Sequence, residues 1–193
     1  MTNVLDYLVG RGRPFLVLPE PQATSVREAA EAHGVDLAGV IRTEVVIAAS
    51  GPALMLVPST HYLDLEMAQT VVGDPRARLA THDEIRSFAP GCDLGAVPPM
   101  ALLLLAPMYV DPSVADLAQV IFPAGRYGLL VRMDREDLFR DDPYVVVPLT
   151  RATAVSIPPP PPSSRRAVLA DDGLLPVHVA EREAVGDRGA DVA

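Results

Sequence analysis

A glycine- and proline-rich loop is the part of this sequence whose residue types and spacing could do chemistry. Glycine lets a backbone approach a bound group closely, and proline fixes a turn so that nearby N–H groups point to one side. Such donors could stabilise the negative oxygen that develops when water attacks a carbonyl. The same spacing also fits a tight surface turn between a helix and a strand, and both interpretations stay open. The loop contains Gly91 and then the Gly-x-x-x-Pro residues Gly95, Ala96, Val97, Pro98 and Pro99.

Arg42 and Thr43 are a second candidate, in a β-branched stretch over residues 40–46 that predicts a strand. An arginine can bind a phosphate bidentately or stabilise negative charge, but it stays protonated and cannot act as a general base. Arg42 could instead form a surface ion pair with Glu44, because residues two apart lie on the same face of a strand. Thr43 could support a bound group or could simply pack. Each candidate therefore has a structural alternative.

The other reactive side chains form no pattern typical of a metal site or of a nucleophile. Cys92 lies inside the loop, but the sequence pairs no histidine with it, so an unreactive thiol is the favoured interpretation. As the single cysteine it excludes an internal disulfide and fits a reducing cytoplasm. The histidines have no metal-ligand spacing, so we expect neither a metal nor another cofactor. They lie at positions 33, 61, 82 and 178.

The charge of the chain limits the partners that it can bind. Its 193 residues have a formal net charge of −9, and all 16 basic residues are arginine because the sequence contains no lysine. This negative net charge excludes a protein that binds nucleic acid along many backbone phosphates. It does not exclude a pocket that accepts only one end of a nucleic acid. No apolar run approaches the roughly 18 residues of a membrane span, so no membrane association is expected.

Strands and helices alternate over residues 1–150, which predicts one α+β domain. Ser25 and Thr81 each precede a glutamate by three residues, which is the capping-box spacing of a helix start. β-branched and apolar runs on both sides of a Ser-Gly-Pro turn predict a hairpin over residues 41–57. A run of leucines, residues 102–105, is predicted as a further strand. The connections are too short and irregular for a doubly wound sheet, so we expect a mixed, partly barrel-like β-sheet with peripheral helices.

Residues 151–193 differ in composition from the rest of the chain. Five consecutive prolines, Pro158 to Pro162, impose a polyproline II segment, and the remainder has scattered charges and no sustained period. We interpret this tail as disordered. A proline motif that docks a protein partner is the alternative.

Five motifs in order resemble the YbaK and prolyl-tRNA synthetase editing-domain family, whose members are aminoacyl-tRNA deacylases. The resemblance covers most of residues 1–140 and implies the fold of that family. Arg42 stands at the position where the family carries a lysine followed by a threonine. Pro123 and Leu130 also depart from the family pattern, because they stand where a serine and an aspartate are usual. The motifs are the stretches 40–46, 62–65, 95–99, 108–111 and 125–128.

The resemblance implies a cofactor-free hydrolase that cleaves the ester joining a small, wrongly attached amino acid to tRNA, and so protects the fidelity of translation in the cytoplasm. Arg42 and Gly95 would be the catalytic positions, with Arg42 anchoring the acceptor end. An alternative is a catalytically impaired module of the same fold that binds tRNA 3′ ends or a protein partner, because Arg42 replaces the family lysine. The substrate-binding positions would be Thr43, Gly91, Ala96, Val97, Pro98 and Pro99.

Overall fold

Two β-sheets surrounded by short helices form the fold, and a computed structural model describes it for residues 4–151. A 3₁₀ turn, Leu37–Gly39, precedes the second strand. The strands are β1 (Leu16–Pro19), β2 (Ile41–Ala48), β3 (Gly51–Pro58), β4 (Arg78–Leu79), β5 (Met108–Val110), β6 (Gln119–Arg126), β7 (Leu129–Asp134) and β8 (Val145–Val146). The helices are α1 (Val4–Gly10), α2 (Val26–Ala32), α3 (Leu65–Val72), α4 (His82–Phe88), α5 (Ala101–Leu104), α6 (Pro112–Ala115) and α7 (Arg135–Phe139).

The two sheets differ in size and in the direction of their strands. The smaller sheet has the order β1-β7-β6 and is antiparallel. The larger sheet has the order β4-β2-β3-β5-β8, and its pairs β3-β5 and β5-β8 are parallel. An isolated parallel bridge between Val40 and Ile121 links the sheets, which do not close into a barrel within residues 4–151. The prediction of a mixed α+β fold is confirmed.

The two predicted caps begin their helices, and a glycine ends a third helix. Ser25 caps α2 by accepting a hydrogen bond from the N–H of Glu28, and Thr81 forms a complete capping box with Glu84 at the start of α4. Gly73 ends α3 in the left-handed conformation, with a φ of 68°. Local signals of this kind are sufficient to place these helices from the sequence.

The predicted strand over residues 102–105 is wrong, because most of this leucine run belongs to the short helix α5. A run of four apolar residues has no periodicity that separates a strand from a helix. A distant residue favours the helix, since the carboxylate of Asp142 accepts the N–H of Leu102 at 2.7 Å and replaces the side-chain cap that Met100 does not provide. Leu105 then ends the helix with a φ of 53°, and its side chain is 87% exposed. The short helix α6 was also missed.

Successive side chains of β2 lie on opposite faces of the larger sheet, and residues on both faces are buried. Ile41 and Val45 belong to the main core, which contains side chains from both sheets. Val46 and Ala48 belong to a second core that packs under α3. The two faces of β2 therefore support different parts of the molecule.

The buried carboxylate of Asp111 holds the end of the described chain against the larger sheet. It accepts hydrogen bonds from the N–H groups of Leu149 at 2.9 Å and Thr150 at 3.1 Å, and from the Thr150 hydroxyl. It also accepts the hydroxyl and the N–H of Ser113 at the start of α6. One side chain thus joins the strand β5, the helix α6 and the segment that follows β8.

Residues 4–151 include no helix with the length and apolar character that crossing a bilayer requires. The proline run at 158–162 and the tail for which disorder and a docking motif were predicted lie outside the described residues. The domain boundary near residue 150 therefore stays a prediction.

Candidate functional site

A surface cavity of about 320 Å³ opens where β2 begins, beside the glycine- and proline-rich loop. The start of α2 and the turn between β6 and β7 complete its wall. Arg42 and Gly95, which come from distant segments of the sequence, both line this cavity. Other lining residues with polar groups are Thr24, Ser25, Arg27, Ser59, Leu94 (through its backbone) and Tyr127.

The loop presents Gly95 to the cavity in a backbone conformation that favours glycine. Its φ is 78°, and a side chain added at this position would meet open space. The backbone N–H groups of Leu94 and Gly95 have no hydrogen-bond acceptor within the described part of the chain. Both residues line the cavity, which makes these two N–H groups the candidate donors of the loop. Paired backbone donors of this kind can stabilise an oxyanion.

Asp93 holds the loop in this shape, a role that was not predicted from the sequence. Its N–H donates to the carbonyl of Gly125 at 2.8 Å, and its carboxylate accepts the N–H of Tyr127 at 3.1 Å. Its carbonyl accepts the N–H of Ala96 at 3.0 Å. The loop is therefore fastened to the turn between β6 and β7. Aspartate is a common turn residue, so the sequence could have indicated a turn here, but not the bond to the distant Tyr127.

The other predicted residues of the loop lie away from this cavity. Residues 96–99 are buried, where they pack rather than line the cavity that contains Gly95. Gly91 and Pro98 instead line a second cavity of about 440 Å³, whose wall is largely apolar. The loop therefore separates two cavities and contributes Gly95, with its neighbour Leu94, to the first.

Arg42 is held in place by three neighbours. Its Nε lies 2.8 Å from a carboxylate oxygen of Glu44, which is the ion pair considered as an alternative from the sequence. This contact is an ion pair rather than an aligned hydrogen bond. The Nη2 group donates to the carbonyl of His61 at 2.8 Å, and the guanidinium lies over the ring of Tyr62 at 5.5 Å from its centroid. Arg42 is thus both ion-paired and part of the cavity wall.

Thr43 lies next to Arg42 but points to the opposite face of the sheet. Its side chain is 3% exposed, and its hydroxyl has no hydrogen-bond partner within the described residues. It does not line the cavity. The structure therefore brings Arg42 and Gly95 together and places Thr43 in the interior beneath them.

Replacing Thr43 by valine should stabilise the protein by about 1 kcal/mol, because it removes a buried hydroxyl that lacks a partner while keeping the shape of the side chain. The measurement is the free energy of unfolding in urea for the wild type and the variant. Thr150→Val is the comparison, since the Thr150 hydroxyl donates to Asp111 and its loss should destabilise the protein. A loss of stability in Thr43→Val would mean that the hydroxyl has a partner that binds it.

Two polar residues of the cavity, Arg27 and Tyr127, were not selected from the sequence. Arg27 is exposed near the start of α2 and forms a distant ion pair, 3.8 Å, with Glu31. Tyr127 lies in the motif 125–128, which was used for the family resemblance but not as part of a site. Only the folded structure shows that both residues line the cavity, because nothing in the sequence of either segment indicates that the two segments meet.

Cys92 lies on the wall of the second cavity, not of the first. Burial, together with the charge of Asp93, raises the pKa of its thiol. The thiol therefore stays protonated near neutral pH and is a poor nucleophile. Within residues 4–151, no three histidine, cysteine, aspartate or glutamate side chains come together as a metal-binding group.

Pro123 and Leu130 lie directly opposite each other on the paired strands β6 and β7. Both are buried. The two positions at which we expect a departure from the family pattern are therefore neighbours in space, and they form an apolar pair. The N–H that β6 would offer at this point is also missing, because proline has none.

The chain is similar to known proteins over the part that forms this site. A model of the aminoacyl-tRNA editing domain family matches residues 20–140, which include Arg42, the loop and the β6–β7 turn. No curated protein sequence matches the chain.

Solved structures support the same relationship. One, described as a candidate trans-editing enzyme for prolyl tRNA synthetase, is 29% identical with a TM-score of 0.63, over 70% of this chain and 85% of that one. A scaffold protein from a study of epitope backbone grafting is 27% identical with a TM-score of 0.64, over 71% and 87% of the two chains. A hypothetical protein, APE2540, is 25% identical with a TM-score of 0.68, over 77% and 99%.

Proposed function

Because the chain belongs to the aminoacyl-tRNA editing domain family, we propose that it hydrolyses the ester that joins a wrongly attached amino acid to tRNA, acting in trans in the cytoplasm. One observation carries this proposal. The N–H groups of Leu94 and Gly95 have no acceptor within residues 4–151, and both residues line the same cavity as Arg42. In this proposal the two N–H groups point into the cavity as donors for a carbonyl oxygen, beside the ion-paired guanidinium of Arg42.

The reaction needs water to add to the ester carbonyl and the terminal ribose oxygen to leave with a proton. In this proposal the N–H groups of Leu94 and Gly95 bind the carbonyl oxygen and stabilise the negative charge that it gains. Arg42 stays protonated, so it positions the acceptor end and stabilises charge but takes no proton. The described lining residues include no carboxylate and no imidazole. We therefore expect that most of the rate acceleration comes from positioning and electrostatic stabilisation.

The size of the cavity favours small amino acids. A volume of about 320 Å³ is at the lower end of ligand sites, which begin at about 300 Å³. The cavity has to accept part of the terminal ribose together with the aminoacyl group. We therefore propose alanine, serine and cysteine as the amino acids that are removed, in preference to larger ones.

Hydrolysis of proline tRNA that is charged with alanine, cysteine or serine tests this function directly. In the proposed mechanism, Arg42→Ala should lower kcat/KM by about 10- to 100-fold, since it removes one charge-assisted contact. Arg42→Lys should keep most of the activity, because lysine preserves the charge. Arg86→Ala is the matched control, since Arg86 is an exposed, ion-paired arginine on α4 that does not line the cavity. Turnover that is equal in the wild type and in Arg42→Ala would contradict the role of Arg42.

A binding module without turnover is the second candidate function. Two observations favour it: Glu44 neutralises the charge of Arg42, and the apolar pair of Pro123 and Leu130 replaces polar family residues. Such a module would retain a non-hydrolysable aminoacyl-adenosine analogue while leaving every aminoacyl-tRNA intact. If only Arg42→Lys hydrolyses the panel, the wild-type protein is a disabled editing fold kept for binding.

A further inference from the structure

Tyr62 exposes more of its surface than any other aromatic side chain of residues 4–151. Its side chain is 81% exposed, and it is the only aromatic residue among the strongly exposed large apolar side chains of that range. An exposed ring gains nothing from burial, so the core does not explain its position. Tyr62 lies three residues after Ser59, which lines the first cavity.

Arg42 fixes the ring of Tyr62 beside the cavity. The guanidinium of Arg42 lies over the ring at 5.5 Å from its centroid, and Arg42 is itself tied to Glu44 and to the carbonyl of His61. One residue therefore contacts the ring and also lines the cavity. Most of the surface of Tyr62 remains in solvent beside this contact.

We propose that Tyr62 is the surface on which the terminal nucleobase of the tRNA acceptor end stacks. The identity of the ligand rests on the proposed function, since the ester bound beside Gly95 is attached to the last nucleotide. Single-stranded nucleic-acid ends are recognised by stacking on aromatic rings and on arginine planes. Tyr62 and Arg42 supply one of each, in contact with each other.

The charge of the protein makes stacking the more effective source of affinity. A chain with a net charge of −9 gains little from phosphates along an extended track. Glu44 also neutralises the arginine nearest to Tyr62. Stacking on an aromatic ring needs no net charge and contributes about 1–3 kcal/mol per base. Tyr62 is therefore a positioning residue that would hold the last nucleotide while its ester enters the cavity.

Binding of two short acceptor-stem RNAs to the full-length protein tests this inference. Both carry the single-stranded CCA end, but in one of them the last nucleotide has no base. The wild type should bind the complete RNA about tenfold more tightly, as about 1.4 kcal/mol of stacking predicts. In Tyr62→Ala the two RNAs should bind equally, and Tyr62→Phe should restore the difference. Fluorescence anisotropy with labelled RNA gives both dissociation constants.

The control variant is Leu105→Ala, which removes another strongly exposed side chain that does not line the first cavity. It should leave the preference for the complete RNA unchanged. If Tyr62 only supports Arg42, Tyr62→Ala will weaken both RNAs by the same factor, and the inference is overturned. It is also overturned if the wild type does not distinguish the two RNAs.

The two proposals fail in different ways. A wild-type protein that prefers the complete RNA through Tyr62 but hydrolyses no aminoacyl-tRNA would contradict the deacylase function and support the stacking surface. Turnover that remains strong while Tyr62→Ala keeps the preference for the complete RNA would contradict the stacking surface alone.

Discussion

Gly95→Val should reduce hydrolysis of the best aminoacyl-tRNA substrate by about 100-fold or more, while the protein remains folded. The φ of Gly95 is 78°, a conformation that disfavours a β-branched side chain by about 1–2 kcal/mol. The added side chain would also extend into the open space that the ester has to occupy. Displacing a single oxyanion donor typically costs about 10²–10³ in kcat. The measurement is kcat/KM, together with the midpoint of thermal unfolding.

Gly34→Val separates the effect on the site from the effect on the backbone. Gly34 has a φ of 62°, and an added side chain there also meets open space, but it does not line the cavity. The two variants should therefore lose similar stability, and only Gly95→Val should lose activity. If both retain activity, the ester does not bind at the loop.

Asp111→Ala should destabilise the domain by about 3 kcal/mol or more, which is the largest effect on stability that we expect from a single polar residue. The substitution leaves the N–H groups of Leu149 and Thr150 without an acceptor, and buried donors that lose a charged partner are costly. The measurement is the urea midpoint at neutral pH. Asp74→Ala is the control, since the more exposed Asp74 also accepts two backbone N–H groups and should cost about 1 kcal/mol or less. Equal losses in the two variants would contradict this account.

The same carboxylate should make stability depend on acid. Burial raises the pKa of Asp111, but hydrogen bonds from Ser113, Leu149 and Thr150 outweigh this effect and leave the pKa below its usual value. The ionised form therefore stabilises the fold fully above the unfolded pKa of about 4, and this contribution is lost as the pH falls through the lower pKa of the folded protein. The free energy of unfolding of Asp111→Asn should therefore fall less than that of the wild type when the pH is lowered below about 4.

Helices and strands could be predicted from the sequence where the interactions that form them are local. Ser25 and Thr81 begin their helices through contacts three residues away, and the hairpin of β2 and β3 follows from two β-branched and apolar runs around one turn. The prediction of a strand failed at residues 102–105, where the N–H of Leu102 is capped by Asp142, which is distant in the sequence. No pattern of residue spacing in the sequence indicates that contact.

The candidate site shows the same limit. Arg42 and Gly95 were selected from the sequence and line one cavity, but their roles in hydrolysis stay predictions. The ion pair with Glu44 was foreseen as an alternative because it joins residues two apart on one strand. The contributions of Asp93, Arg27 and Tyr127 depend on how the loop, α2 and the β6–β7 turn meet. The relative positions of these three segments depend on how parts of the chain that are distant in sequence pack together.

The buried pair of Pro123 and Leu130 restricts the order in which this protein could change during evolution. An aspartate introduced alone at position 130 would be a fully buried carboxylate, which costs several kcal/mol without a partner. Its cross-strand neighbour could offer it no donor, because Pro123 has neither an N–H nor a polar side chain. A serine at position 123 would therefore have to come first. If polar residues were introduced at both positions, the order Pro123→Ser and then Leu130→Asp would therefore be less destabilising than the reverse order.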